Sequence, residues 1–275
     1  MAKVYLNGLD SKTYEHPFDR KALNALEGTT GLETVVKGFN KYGVEKMLKV
    51  QHTGSNIRIS DKNLPEVKNI LSTACKILDI KQIPDTYVQW GFQINAFTAG
   101  VDKPLIVLNS GAIDLMTAEE LLFVIGHELG HIKSQHVLYH QLSMVLPFLG
   151  NLIGSATLGI GDLIAKGIQL ALLNWQRMSE FTADRAGLLC CQDSAVAISA
   201  MVKMAGIPTR YFNKINIDDF IAQAKEFEGA DYDTLDKIAK TVSIMWQNHP
   251  WTVLRASEMI KWIDAGDYQK ILMKK

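Results

Sequence analysis

The chain has 275 residues, 47% of them hydrophobic and 21% charged, enough to bury a sizeable core without disulfides or a structural metal. Lysine plus arginine and aspartate plus glutamate both number 29. No cationic excess is left to release counterions from DNA or RNA, so nucleic acid is excluded as the expected partner. The three cysteines, Cys75, Cys190 and Cys191, are an odd number with one adjacent pair, which fits buried thiols in a reducing compartment. Residues 1–10 carry no apolar run of signal-peptide length behind a basic stretch, and a cytoplasmic location is expected.

In chain order, residues 1–60 read as an N-terminal extension punctuated by glycines. It holds helices over Phe18–Leu26 and from Leu32 to about Leu48, and a short strand at Ile57–Ile59. Residues 61–275 read as the main domain. Pro65 opens a helix over Leu64–Leu78, whose apolar positions Val67, Ile70, Leu71, Ala74 and Ile77 recur at helical spacing. Three runs rich in β-branched or aromatic residues, Tyr87–Trp90, Ile94–Thr98 and Leu105–Leu108, read as strands broken by Gly91, Gly100 and Pro104.

Thr117 and Glu120 then form a capping-box pattern at the head of a long helix. That helix is expected to continue through His131 to about His140, and Gly126 and Gly130 inside it imply close approach by a strand or a metal site. Leu142–Trp175 is an apolar stretch interrupted by Pro147, Asn151 and several glycines, which is poor material for a spanning helix. Two readings stay open for it: a packed helical hairpin or flap, and a hairpin that rests on or dips into a membrane as a peripheral contact. The remainder reads as helical over Gln169–Cys191, Ser194–Met204, Ile217–Phe227, Thr234–Gln247 and Pro250–Asp264. The fold class is therefore α+β and mainly helical.

The chemistry concentrates in His127-Glu128-Leu129-Gly130-His131. On a helix, residues four apart lie one turn above each other, so His127 and His131 can hold one Zn²⁺ per chain. Glu128 lies beside that metal, where it can act as the general base toward an activated water. A catalytic zinc takes three protein ligands and keeps an open position. Glu180 can supply the third, and Asp184, one turn further on, can accept a hydrogen bond from the outer nitrogen of a ligand histidine. His136 and His140 fall on the opposite side of a continuous helix and are expected to be unrelated to the zinc, while His16 and His52 show no partner pattern.

H-E-x-x-H followed by E-x-x-x-D within Glu180-Phe181-Thr182-Ala183-Asp184-Arg185 resembles the HtpX-like and CAAX-prenyl-protease-like zinc metallopeptidases, which are gluzincins. Asn95-Ala96-Phe97 resembles that family's N-A-F stretch, Ile106–Gly111 the strand and turn before its motif helix, and His249-Pro250 with Arg255 its H-P-x-x-x-x-R element. The resemblance implies a zincin-like fold with a small sheet beside the motif helix. It implies zinc on His127, His131 and Glu180, Glu128 as general base, and Asp184 as the residue that orients a ligand histidine. It further suggests His249 as an oxyanion donor or a resting-state zinc ligand, Arg255 as an anchor for its helix, and Asn95, Ala96 and Phe97 as an edge strand that pairs with an extended polypeptide substrate. The function expected is a zinc metalloendopeptidase acting on unfolded or damaged proteins, in the cytoplasm or on the cytoplasmic face of a membrane. The rival is a non-catalytic relative in which zinc only stabilises a chaperone or scaffold.

Overall fold

Four short strands form one mixed sheet in the order β1-β2-β4-β3: β1 (Ile57–Arg58), β2 (Asp85–Gln89), β3 (Ala96–Ala99) and β4 (Leu105–Asn109). β2 and β4 are parallel, whereas β1 pairs β2 and β3 pairs β4 antiparallel. β4 is buried along its whole length, as a central strand of apolar residues should be, and β3 is left at an edge. The computed structural model describes residues 3–33, 35–36, 43–144, 146, 160–229 and 252–273.

Around the sheet lie α1 (Pro17–Glu27), α2 (Val44–Ser55), α3 (Pro65–Ile77), α4 (Ser110–Leu115), α5 (Ala118–Lys133), α6 (Ile160–Cys191), α7 (Ser194–Met204), α8 (Ile217–Gly229), α9 (Thr252–Asp264) and α10 (Asp267–Met273). The fold is thus α+β and mainly helical. The helix expected from Leu32 to about Leu48 is helical at residues 32–33 and 35–36, but α2 is a separate helix, opened at Val44 by Gly43 with a left-handed φ of 64°. α6 is longer than predicted and absorbs the second half of the apolar stretch; of the first half, residues 142–144 and 146 are helical and the rest lies outside the described residues. The helix expected over Thr234–Gln247 also lies outside them. No helix among the described residues is long and apolar enough to cross a membrane.

The motif helix α5 is bolted at its head. Thr117 and Glu120 complete the capping box, and the Glu120 carboxylate also accepts hydrogen bonds from Ser199 at 2.7 Å and Lys203 at 2.6 Å on α7. Its tail departs from expectation. α5 stops at Lys133, Gln135 takes a left-handed φ of 59°, and the chain turns before residues 137–144 become helical again. The Gln135 N–H bonds to the Ile132 carbonyl and the His136 N–H to the His131 carbonyl, the bonding pattern of a Schellman turn, with glutamine where glycine is usual.

α5 packs most extensively against α6, and the two glycines explain how closely. A Cβ on Gly130 would lie 2.6 Å from Ala186 Cβ, one on Gly126 would collide with Cys190, and one on Gly187 would press on the Phe123 ring at 2.9 Å. The close neighbour of the glycines is another helix, neither a strand nor the metal site. All three cysteines are free and buried, and burial pushes the Cys75 and Cys191 thiols up to about 12. Replacing Gly130 by valine should therefore cost on the order of 1–3 kcal/mol through overpacking. Gly167→Ala, mid-helix on α6 with open space around it, should gain about 0.5–1 kcal/mol. Urea midpoints of the metal-free proteins test both signs.

Candidate metal centre and cleft

The close α5–α6 packing carries the E-x-x-x-D face of α6 directly onto the motif. His127 Nε2 and His131 Nε2 are 3.2 Å apart. Glu180 approaches them with Oε2 at 3.5 Å from His127 Nε2 and Oε1 at 3.3 Å from His131 Nε2. All three residues are buried. Tetrahedral zinc with bonds of about 2.0–2.1 Å separates its ligand atoms by about 3.4 Å, and these spacings match.

The outer partners fix which atoms face inward. His127 Nδ1 lies 3.0 Å from Asp184 Oδ1, and Asp184 is gripped in turn by Arg255, whose Nε and Nη2 donate to it at 2.8 and 2.6 Å. A carboxylate paired in this way can only accept, so His127 Nδ1 carries hydrogen. His131 Nδ1 lies 3.1 Å from His136 Nδ1. With both Nδ1 atoms donating outward, neutral rings would aim two Nε2 lone pairs and a carboxylate at one point, an arrangement that only a cation satisfies. The donor set of two imidazoles and one carboxylate suits a transition-metal dication.

Electrostatics point the same way. Burial opposes charge on His127, but the hydrogen bonds and negative charges of Asp184 and Glu180 outweigh it and push the ring up to about 10. Burial and the neighbouring His127 hold His131 below the usual histidine range despite the raising effect of Glu180. In the metal-free pair a single proton on His127 therefore occupies the position a metal would take. Asp184 is held below the ordinary carboxylate range because Arg255 and His127 more than offset its burial.

Glu128 borders two clefts that flank the triad. One is lined by Phe97, Thr98, His131, Gln141, Met144 and Glu180, the other by Asn95, Ala96, His127, Met204, Thr252 and Arg255. β3 runs along both. Thr98 Oγ1 donates to Glu128 Oε2 at 2.7 Å, which ties the strand to the motif glutamate. Asn109 N–H bonds to the Asn95 carbonyl, and this register turns Asn95, Phe97 and Ala99 toward β4. The backbone groups of Ala96 and Thr98 consequently point to the outer edge.

A family model described as Peptidase family M48 matches residues 61–263. The chain belongs to peptidase family M48. Among relatives, the Plastoglobule-localized metallopeptidase 48, chloroplastic, of Arabidopsis thaliana is 31% identical over 269 residues, covering 97% of this chain and 76% of that protein. Protease HtpX homolog 2 of Methanosarcina acetivorans is 25% identical over 197 residues, covering 63% of this chain and 65% of its own. Protease HtpX homolog of Ralstonia nicotianae is 28% identical over 153 residues, or 46% of this chain and 52% of its own. No solved structure matches the chain. As an M48 member the protein is a metallopeptidase, and its clustered histidines fit metal binding.

The structure brings together His127, His131, Glu180, Asp184, Arg255 and Glu128, with Asn95, Ala96 and Phe97 lining the clefts. His249 lies outside the described residues. His136 and His140 depart from expectation: the turn at Gln135 breaks the helix and folds both back against the His131 ring, at centroid distances of 5.3 and 4.7 Å. Two further residues beside these side chains were not singled out from sequence, and a third, His136, was expected to lie apart from them. Thr98 and Asp19, which lies 3.2 Å from His136 Nε2, reach their contacts only through the folding of distant segments, as does His136.

Two outcomes follow. Because a metal must displace the His127 proton, binding at pH 7 should release about one proton, and the apparent affinity should rise with pH up to about 10. Calorimetry in buffers of different ionisation enthalpy measures this, and equal heats would contradict it. Removing the guanidinium with Arg255→Ala should cost about 3–5 kcal/mol at neutral pH by leaving buried carboxylates uncompensated. Since Asp184 has a depressed pKa, the stability it contributes is present above the ordinary carboxylate range and is lost as pH falls through its lowered value. The gap between wild type and variant should accordingly narrow below about pH 4, as followed by denaturation at a series of pH values.

Proposed function

We propose that the protein is a zinc-dependent metalloendopeptidase with one Zn²⁺ per chain on His127, His131 and Glu180, and that it cleaves unfolded or loosened polypeptides. The observation that carries this reading is the position of Glu128, which binds no other side chain of the triad yet sits beside it, bordering both clefts, with a carboxylate oxygen held by Thr98. A purely structural zinc has no use for such an acid.

Held by His127, His131 and Glu180, zinc would supply Lewis-acid polarisation of a scissile carbonyl and would acidify the attacking water. Glu128 takes the proton from the attacking water and returns it to the leaving amine. Asp184, steadied by Arg255, keeps the His127 ring in the required tautomer. β3 holds the substrate: its edge can add an extended peptide through the backbone groups of Ala96 and Thr98, which gives affinity with little demand on side chains. Such binding requires a segment already free of its own structure and supports a role in protein quality control. His249 completes the reading as the donor to the developing oxyanion. The buried, reduced cysteines support a cytoplasmic placement.

Casein cleavage by the native protein and by Glu128→Gln, with zinc content measured in both, tests the proposal. The variant should keep its zinc and lose about 10²–10⁴-fold in turnover. Equal activity would remove Glu128 from the mechanism, and a native protein that binds zinc without cleaving unfolded chains would favour the scaffold reading.

A further inference from the structure

The two histidines of the proposed zinc site are braced by unlike means. His127 rests directly on a carboxylate, Asp184. His131 rests on a second imidazole. The Schellman turn at Gln135 returns the chain so that His136 lies beside His131, Nδ1 to Nδ1 at 3.1 Å, with His136 itself only 3% exposed. His136 Nε2 then meets Asp19 Oδ2 at 3.2 Å. Asp19 is fully buried in the first turn of α1, where the helix N-terminus favours a negative charge, and its Oδ2 also accepts a hydrogen bond from Thr182 Oγ1 at 2.6 Å. Thr182 stands on α6 between Glu180 and Asp184.

Hydrogen positions follow from the acceptor at the end of the chain. Asp19 can only accept, so His136 Nε2 carries hydrogen; His136 Nδ1 is then a lone pair, and His131 Nδ1 must donate to it. That leaves His131 Nε2 as a lone pair facing His127 and Glu180. We propose that His136 and Asp19 are positioning residues, an imidazole–carboxylate chain that sets the tautomer and direction of His131 and thereby the affinity of the site for its metal. The proposal rests on the reading of His127, His131 and Glu180 as metal ligands.

The same atoms admit a rival. His131, His136 and His140 also lie close enough to share an ion of their own. The contacts of His136 Nε2 with Asp19 and of His140 Nε2 with Ser179 Oγ at 2.9 Å occupy only one nitrogen of each ring, so it is His131 that argues against a shared ion. His131, with one lone pair when neutral, would have to become an imidazolate to serve two ions.

Zinc affinity by chelator competition, zinc stoichiometry, and the visible spectrum of the cobalt-substituted full chain decide the matter. His136→Phe keeps a ring in the space but cannot accept a hydrogen bond. It should weaken zinc binding about 10–100-fold and shift the cobalt bands. His136→Gln, with an amide oxygen to accept and an amide nitrogen to donate, should recover most of that loss, which a mere packing role would not predict. Should the phenylalanine variant fail to fold, Asp19→Asn serves instead and should weaken binding several-fold, since the amide accepts a hydrogen bond without the charge. Wild-type affinity in the folded His136→Phe or Asp19→Asn variant would overturn the proposal. Two zinc ions per wild-type chain, the second lost in His140→Ala, would replace it with the rival site. A wild type that takes up no zinc at all would overturn the metal-site reading and the proposal together.

Discussion

Everything at this site depends on how closely α5 and α6 approach. Helices with ordinary side chains at their contact stand about 8–10 Å apart. Gly126 and Gly130 on one helix meet Ala183, Ala186, Gly187 and Cys190 on the other, where an added methyl group would strike a neighbour. The approach is what allows Glu180, on a short carboxylate stem, to reach within 3.5 Å of both motif histidines. The helix penalty of two glycines, roughly 1 kcal/mol each, is offset by the contact they permit.

Charge is handled with similar economy. Asp184, Glu180 and Glu128 all act on the buried guanidinium of Arg255, which is held well above its usual range once their attraction outweighs its burial. One guanidinium does not neutralise three carboxylates. The His127 proton offsets one of the two remaining negative charges, whereas a dication in its place would offset both, so folding and ion binding are coupled electrostatically. Arg255 is placed by α9, α9 packs on α8 and α6, and the ion site therefore feels the docking of a helix distant from the motif in sequence.

What could be read from the chain was whatever a local period or a local rule encodes. H-E-x-x-H and E-x-x-x-D each declare a helical face, Thr117 and Glu120 declare a cap, and the β-branched runs declare strands whose cores the structure reproduces at Asp85–Gln89, Ala96–Ala99 and Leu105–Asn109. Placement of Glu180 and Asp184 opposite the motif followed from metal chemistry combined with family resemblance. The end of α5 was not legible, because the left-handed position falls on Gln135 and no glycine or asparagine marks it. His136 and His140 were consequently assigned to the wrong side of a helix that does not continue. Asp19 had no signal at all: nothing local to α1 indicates that its first turn will be buried against α6. The start of α6 was misplaced in the other direction, at Gln169, whereas the helix already runs from Ile160.

The supports of the two motif histidines come from opposite ends of the described chain, Asp19 on α1 and Arg255 on α9. During synthesis α1 leaves the ribosome early and waits for α6, whereas α9 emerges after every other element that touches the triad. The pentapeptide exists as a sequence long before either partner of His127 can be completed. Competence to hold the ion is therefore gained late, by which time the preceding helices and the sheet have had the opportunity to bury their own peptide bonds.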